Sequence, residues 1–129
     1  MRNGNAIMDV LLVEDDLLIR ELLCEHLADA GIDVVQAPNG EEGLDAAERS
    51  GPPPSVLVTD VNLGPGMDGI ELAREARGRW PLLHVVVITG DPANLAAMSP
   101  ELRAGCLLKP FNPPRLLAAV AAALLRRRG

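Results

Sequence analysis

Two kinds of segment alternate along the chain. Short apolar, β-branched runs stand at "MDVLLVE" (8–14), "IDVVQA" (32–37), "SVLVTD" (55–60), "HVVVITG" (84–90) and "CLLK" (106–109). Their length and composition suit strands buried on both faces. Stretches with helical spacing lie between most of them. In "DLLIRELLCEHLADAG" (16–31), Leu18, Leu22, Leu23 and Leu27 recur at helical intervals, Asp16 is placed to cap the start and Gly31 to close the end. A second helix is expected over Glu41–Arg49 with Leu44 and Ala47 inward, and a third over Gly69–Arg79. The last is "PPRLLAAVAAALLRR" (113–127), with Pro113 or Pro114 in its first turn. The connection "DPANLAAMSPELRAG" (91–105) is weaker: "ANLAAM" is helix-like, but Pro100 interrupts it. A fourth helix there is expected to be short or irregular.

Strand–helix alternation with strands apolar on both faces implies a parallel sheet covered by helices on both sides. The chain has 129 residues, enough for one domain of ordinary size, and "SGPPPS" (50–55) reads as a stiff loop rather than a boundary. With 48% hydrophobic residues and only Trp80 and Phe111 as aromatics, the core must be aliphatic, and the composition argues against stacking of bases on aromatic platforms. A formal net charge of −6 opposes nucleic-acid binding through phosphates. Arg126, Arg127 and Arg128 suit a helix C-terminus. Cys24 and Cys106 form no CxxC pair and have no histidine at metal spacing, which suits idle thiols in a reducing compartment. No apolar run reaches membrane-spanning length, and "MRNGNAIMD" lacks the apolar stretch of a signal peptide, so a soluble, cytoplasmic chain without a membrane partner is expected.

The chemistry gathers at the strand ends, where open parallel sheets bind ligands. The first run ends with Glu14 and Asp15, followed by Asp16; the third with Asp60; the fourth with Thr89-Gly90; the fifth with Lys109-Pro110. The second, ending Gln36-Ala37, offers nothing obvious. Singly, each has a plain structural reading: a solvated loop acid, a helix cap, a β-branched strand residue, a surface lysine. Together they are harder to dismiss. Acids crowded from neighbouring strands repel one another unless a cation offsets them, and hard oxygen ligands suit Mg²⁺. A lysine and a hydroxyl beside them suit an anionic group, so the set matches phosphoryl transfer.

With "LLVEDD" (11–16), "VTDVNLGPGMDG" (58–69), "VVVITG" (85–90) and "CLLKPF" (106–111) in this order, the chain resembles a CheY-like response-regulator receiver domain of two-component signalling. The resemblance runs from about Met8 to Leu125 and implies a flavodoxin-like (βα)5 fold, α/β, with a five-stranded parallel sheet of order 2-1-3-4-5. It implies a domain over 8–126 between tails 1–7 and 127–129. By position, it implies that Asp60 accepts the phosphoryl group and that Mg²⁺ is held by Glu14, Asp15, Asp60 and the backbone carbonyl of Asn62. Thr89 would move to the phosphoryl group, Lys109 would pair with it, Gly90 would leave room beside it, and Lys109-Pro110 would be cis. The implied donor is a histidine kinase or histidine phosphotransfer protein, and the implied listener an unknown downstream protein.

Three departures from the family pattern stand out. The loop after Asp60 carries one additional residue, with Gly64 where a proline is usual. Cys106 replaces the usual switch aromatic, and the simplest role for it is a small core residue. Thr89 and Lys109 are only 20 positions apart, which shortens the fourth helix and weakens the face receivers commonly use to associate. A monomer or weak homodimer is therefore expected. The departures resemble a divergent, α-proteobacterial group of stand-alone receivers. One helix after Lys109 favours a single-domain regulator; a receiver from a hybrid histidine kinase, or a pseudo-receiver that binds without phosphorylation, are the alternatives. A phosphatase of the haloacid-dehalogenase kind needs a second aspartate where Asn62 stands, so a signalling domain rather than an enzyme is expected.

Overall fold

Apolar residues on both faces make a strand that only a two-sided core can satisfy, and β3 (Val56–Asp60) is buried at every position. In the computed structural model, which describes residues 9–128 (backbone alone for 127 and 128), it lies at the centre of a parallel sheet. The order is β2 (Val34–Ala37), β1 (Val10–Val13), β3, β4 (His84–Thr89) and β5 (Leu107–Leu108), the expected 2-1-3-4-5 arrangement. The pleat sorts alternate residues into two cores. Leu11, Val13, Leu57, Val85 and Val87 face α2 (Gly40–Arg49) and α3 (Gly69–Arg79). Val10, Leu12, Val56, Val58, Val86 and Ile88 face α1 (Leu17–Asp29) and α5 (Pro113–Arg128). Residues 1–7, expected as a tail, and Met8 lie outside the described residues.

The helices begin where local chemistry allows. Asp16 caps α1, its Oδ1 accepting the Ile19 N–H at 3.1 Å. Asp68 caps α3 in a reciprocal box with Glu71. Gly31, at φ 86°, takes the left-handed turn after α1. The α1 stripe divides: Leu23 and Leu27 are buried, whereas Leu18 and Leu22 are 78% and 59% exposed. Leu18 and Leu22 share a face four residues apart that is turned away from the sheet.

The β4–β5 connection is short and irregular, as the spacing predicts. A 3₁₀ turn (Pro92–Ala97) precedes the five-residue α4 (Pro100–Ala104). Pro100 starts α4 instead of interrupting a helix, because its missing N–H costs nothing in the first turn behind the Ser99 cap. β5 is shorter than the expected 106–109. The Cys106 N–H still bonds back to the Arg103 carbonyl (3.2 Å), so the chain joins the sheet only at Leu107. Cys106 packs half-buried against the α2–α3 core, and burial raises its thiol pKa, consistent with the idle role read for it.

Candidate functional site

The strand order reverses between β1 and β3, which opens a crevice at the carboxyl edge of the sheet. Asp60 ends β3 there and is only 5% exposed. Both its carboxylate oxygens are engaged. Lys109 Nζ, arriving from just beyond β5, donates to Oδ2 at 2.6 Å. The Asn62 N–H donates to Oδ1 at 3.2 Å, while the Asn62 residue itself is exposed at the rim. The ion pair offsets part of the cost of burying the Asp60 carboxylate, while the lysine itself stays partly open to water.

Glu14 follows β1 and is also buried, with Oε2 accepting the Asp16 N–H at 3.1 Å. Burial pushes its carboxyl up from 4.5 to about 7; the Asp16 N–H opposes this, and the neighbouring Asp15 and Asp60 add to it. Burial lowers the Lys109 pKa, but the bond and charge of Asp60 and the charges of Glu14 and Asp15 outweigh that, and the net shift is upward.

A stability prediction follows from Glu14. With its folded-state pKa above the unfolded value of 4.5, the folded chain holds more protons between these two points. Stability from this group is present in full below pH 4.5 and is lost as pH rises through about 7. Glu14→Gln is therefore expected to melt above the wild type at pH 8 in chelator, with the advantage vanishing near pH 4. Paired thermal melts across this range check it; an equal melting temperature at pH 8 would show that Glu14 is not strained.

The donor set can be tested for a divalent cation. Among the described residues, no three His, Cys, Asp or Glu side chains stand together as a ready-made metal group. Yet Glu14, Asp15 and Asp60 are close enough to raise the Glu14 pKa. Lys109 Nζ occupies Asp60 Oδ2 and the Asp16 N–H occupies Glu14 Oε2, so the acids converge in charge without forming a closed ligand shell. Carboxylate oxygens are the ligand type that hard cations such as Mg²⁺ take.

Thr89 ends β4 and is 1% exposed, but its hydroxyl does not bond Asp60. It accepts the Asp91 N–H (3.1 Å) and Asn94 Nδ2 (2.7 Å) and faces the Asp91 carbonyl (3.3 Å). The Lys109-Pro110 bond is cis, as the resemblance implies. A side chain at Gly90 would meet Lys109 Cβ at 3.8 Å. The loop after Asp60 turns on Gly64 (φ 76°) and Gly66 (φ 93°), conformations that favour glycine. It returns through the Gly69 N–H, which donates to the Val61 carbonyl at 2.9 Å.

Some positioning residues escape sequence reading. Arg20 Nη1 donates to the Glu14 carbonyl (2.9 Å) and Nε to Gln36 Oε1 (3.0 Å), tying α1 and the end of β2 to the acidic pair. Gln36, which offered nothing at the sequence level, thus orients Arg20. The only available signal was a basic residue one turn into α1. A groove of about 620 Å³ lies away from this chemistry, between α4 and α5 beside Cys106. Among the described residues no helix is long and apolar enough to cross a membrane.

Comparison with known proteins agrees with this geometry. The family model of the response regulator receiver domain matches residues 10–121. The transcriptional regulatory protein AruR of Pseudomonas aeruginosa is 37% identical over 124 residues, covering 92% of this chain; the chain spans 49% of AruR. The crystal structure of a response regulator receiver protein from Sinorhizobium medicae WSM419 superposes with a TM-score of 0.82 at 29% identity, covering 93% of this chain and 96% of that one. The BeF3-activated DrrB receiver domain superposes at 0.75 and 28% identity, covering 93% and 100%. A family match over residues 10–121, on a chain with this sheet order, establishes that the chain belongs to the response-regulator receiver domains of two-component signalling.

Proposed function

We propose that this domain, over residues 8–126, accepts a phosphoryl group on Asp60 from a histidine kinase or histidine phosphotransfer protein in the cytoplasm and passes the signal on by protein contact. The observation that carries this reading is the buried Asp60 carboxylate, presented at a strand end and paired with Lys109 at 2.6 Å. An Asp60 oxygen attacks phosphorus; the O–P bond forms as the P–N bond to the donor imidazole breaks, and the imidazole leaves with the electron pair. Lys109 neutralises charge on the transferring group, and the Asn62 N–H orients the carboxylate. Mg²⁺, when bound, supplies further neutralisation of the phosphoryl oxygens. Glu14, Asp15, Asp60 and the Asn62 backbone carbonyl are the groups that would hold it. Thr89, freed from its loop partners, would donate to the new phosphoryl group. A monomer or weak homodimer suits this role, and the same chemistry serves a stand-alone regulator or a receiver within a hybrid kinase.

The test uses a small phosphodonor, beryllofluoride and Mg²⁺. DrrB, a similar receiver, is described as BeF3-activated. The wild type is expected to gain one phosphoryl group by mass and to saturate with beryllofluoride only when Mg²⁺ is present. Asp60→Ala is expected to do neither. A wild-type chain with no Mg²⁺-dependent response would replace this reading with a pseudo-receiver that binds without phosphorylation.

A further inference from the structure

A threonine hydroxyl has one proton to donate and two lone pairs to accept with. In Thr89 all three are engaged. The Asp91 N–H and Asn94 Nδ2 fill the acceptor positions, and the Asp91 carbonyl lies within reach of the proton. The Asn94 bond, at 2.7 Å, is the shortest of the three and comes from a side chain. Asn94 sits in the 3₁₀ turn Pro92–Ala97, none of whose residues is buried. The turn's apolar anchorage is limited to Leu95, partly buried against the α2–α3 core, and Met98 just past its end, and polar ties supplement it. One is Arg74 Nη2 of α3, donating to the Ala97 carbonyl at 3.0 Å. The Asn94–Thr89 bond is the one that reaches the sheet edge beside the site.

We propose that Asn94 is a positioning residue: it latches the Thr89 hydroxyl in the resting arrangement and so makes the docking of the 3₁₀ turn compete with the phosphoryl group for that hydroxyl. The inference rests on the receiver reading, because it assigns Thr89 a second partner on Asp60. A contact present in one state only shifts the equilibrium by its own differential free energy. Removing the Asn94 amide weakens the resting state alone. It removes one of the hydroxyl's three partners, which eases its turn toward Asp60, and it loosens the docking of the turn.

The experiment titrates the full chain with beryllofluoride at fixed Mg²⁺. Asn94→Ala is expected to lower the half-saturating concentration about 3- to 10-fold, the worth of one net hydrogen bond. Ser99→Ala is the companion variant. Ser99 Oγ caps α4 through the Leu102 N–H (3.3 Å) in the same connection and does not touch Thr89. Its half-saturation is expected to match the wild type. An unchanged value for Asn94→Ala overturns the latch, and so does an equal shift in Ser99→Ala, which would mean that any loosening of the connection suffices. Failure of the wild type itself to bind beryllofluoride would instead sink the receiver reading, and the latch with it.

Discussion

Gly69→Ala is expected to lower the stability of the domain by about 3 kcal/mol or more, at the upper end for overpacked sites. The added Cβ would land on the Asp60 carbonyl oxygen and 3.0 Å from Thr59 Oγ1. Neither can retreat easily. β3 is held in register by β1 on one side and β4 on the other, and the Thr59 hydroxyl already donates to that same carbonyl at 2.9 Å. The glycine N–H is also committed, to the Val61 carbonyl. The strain therefore falls on the strand end that presents Asp60, and phosphoryl acceptance is expected to fall with stability. Gly78→Ala is the internal comparison. It lies in the same helix with no atom within 4 Å of an added Cβ, so it is expected to stabilise by about 0.5–1 kcal/mol through helix propensity and the unfolded chain. Urea denaturation of both variants checks the pair. A Gly69→Ala protein as stable as wild type would show that the start of α3 can move away from β3.

The second large effect concerns Lys109. Lys109→Met keeps the apolar stem and removes the ammonium. Phosphoryl acceptance from a small donor is expected to slow about 10²-fold, the scale for losing one preorganised charge-stabilising donor. Lys109→Arg is not expected to rescue it. The guanidinium is planar and broad, and the Asp60 contact is made by a single nitrogen to a single oxygen. Stability is expected to change less than rate, since the lysine side chain is 39% exposed and water screens what the pair contributes. Quenched-flow phosphorylation at saturating Mg²⁺ gives the rate. A wild-type rate in the methionine variant would remove Lys109 from charge neutralisation.

Much of the fold was legible because strands and helices impose different periods. The apolar runs that end on Asp60 and Thr89 could belong only to a sheet covered on both faces, and the alternation of Val56, Leu57 and Val58 between two cores follows from the pleat. The strand-end acids, Thr89 and Lys109 were legible because chemistry-bearing residues stood where an apolar run stopped. What was not legible depends on meetings between distant segments. Asn94 is an ordinary polar residue in a weak helical stretch until β4 delivers Thr89 beside it. Arg20 is a surface charge until β2 brings Gln36 alongside. Gly69 carries no mark of its need, since only the approach of α3 to the Asp60 carbonyl forbids a side chain there. The helical spacing of α1 likewise could not say which leucines the sheet would cover.

The brevity of β5 has a dynamic consequence. Five residue pairs join β3 to β4, but only two join β4 to β5. The Lys109 N–H adds one more bond, to the Thr89 carbonyl at 2.9 Å, just past the strand. The cation that clamps Asp60 thus rides on the least anchored strand of the sheet. Segments with few ladder bonds open at a fraction of the free energy of global unfolding. Amide exchange should then divide the sheet into a slow centre of β1 and β3 and a fast margin at Leu107 and Leu108. The lifetime of the Asp60–Lys109 pair would belong to that margin, renewed many times before the core once comes apart.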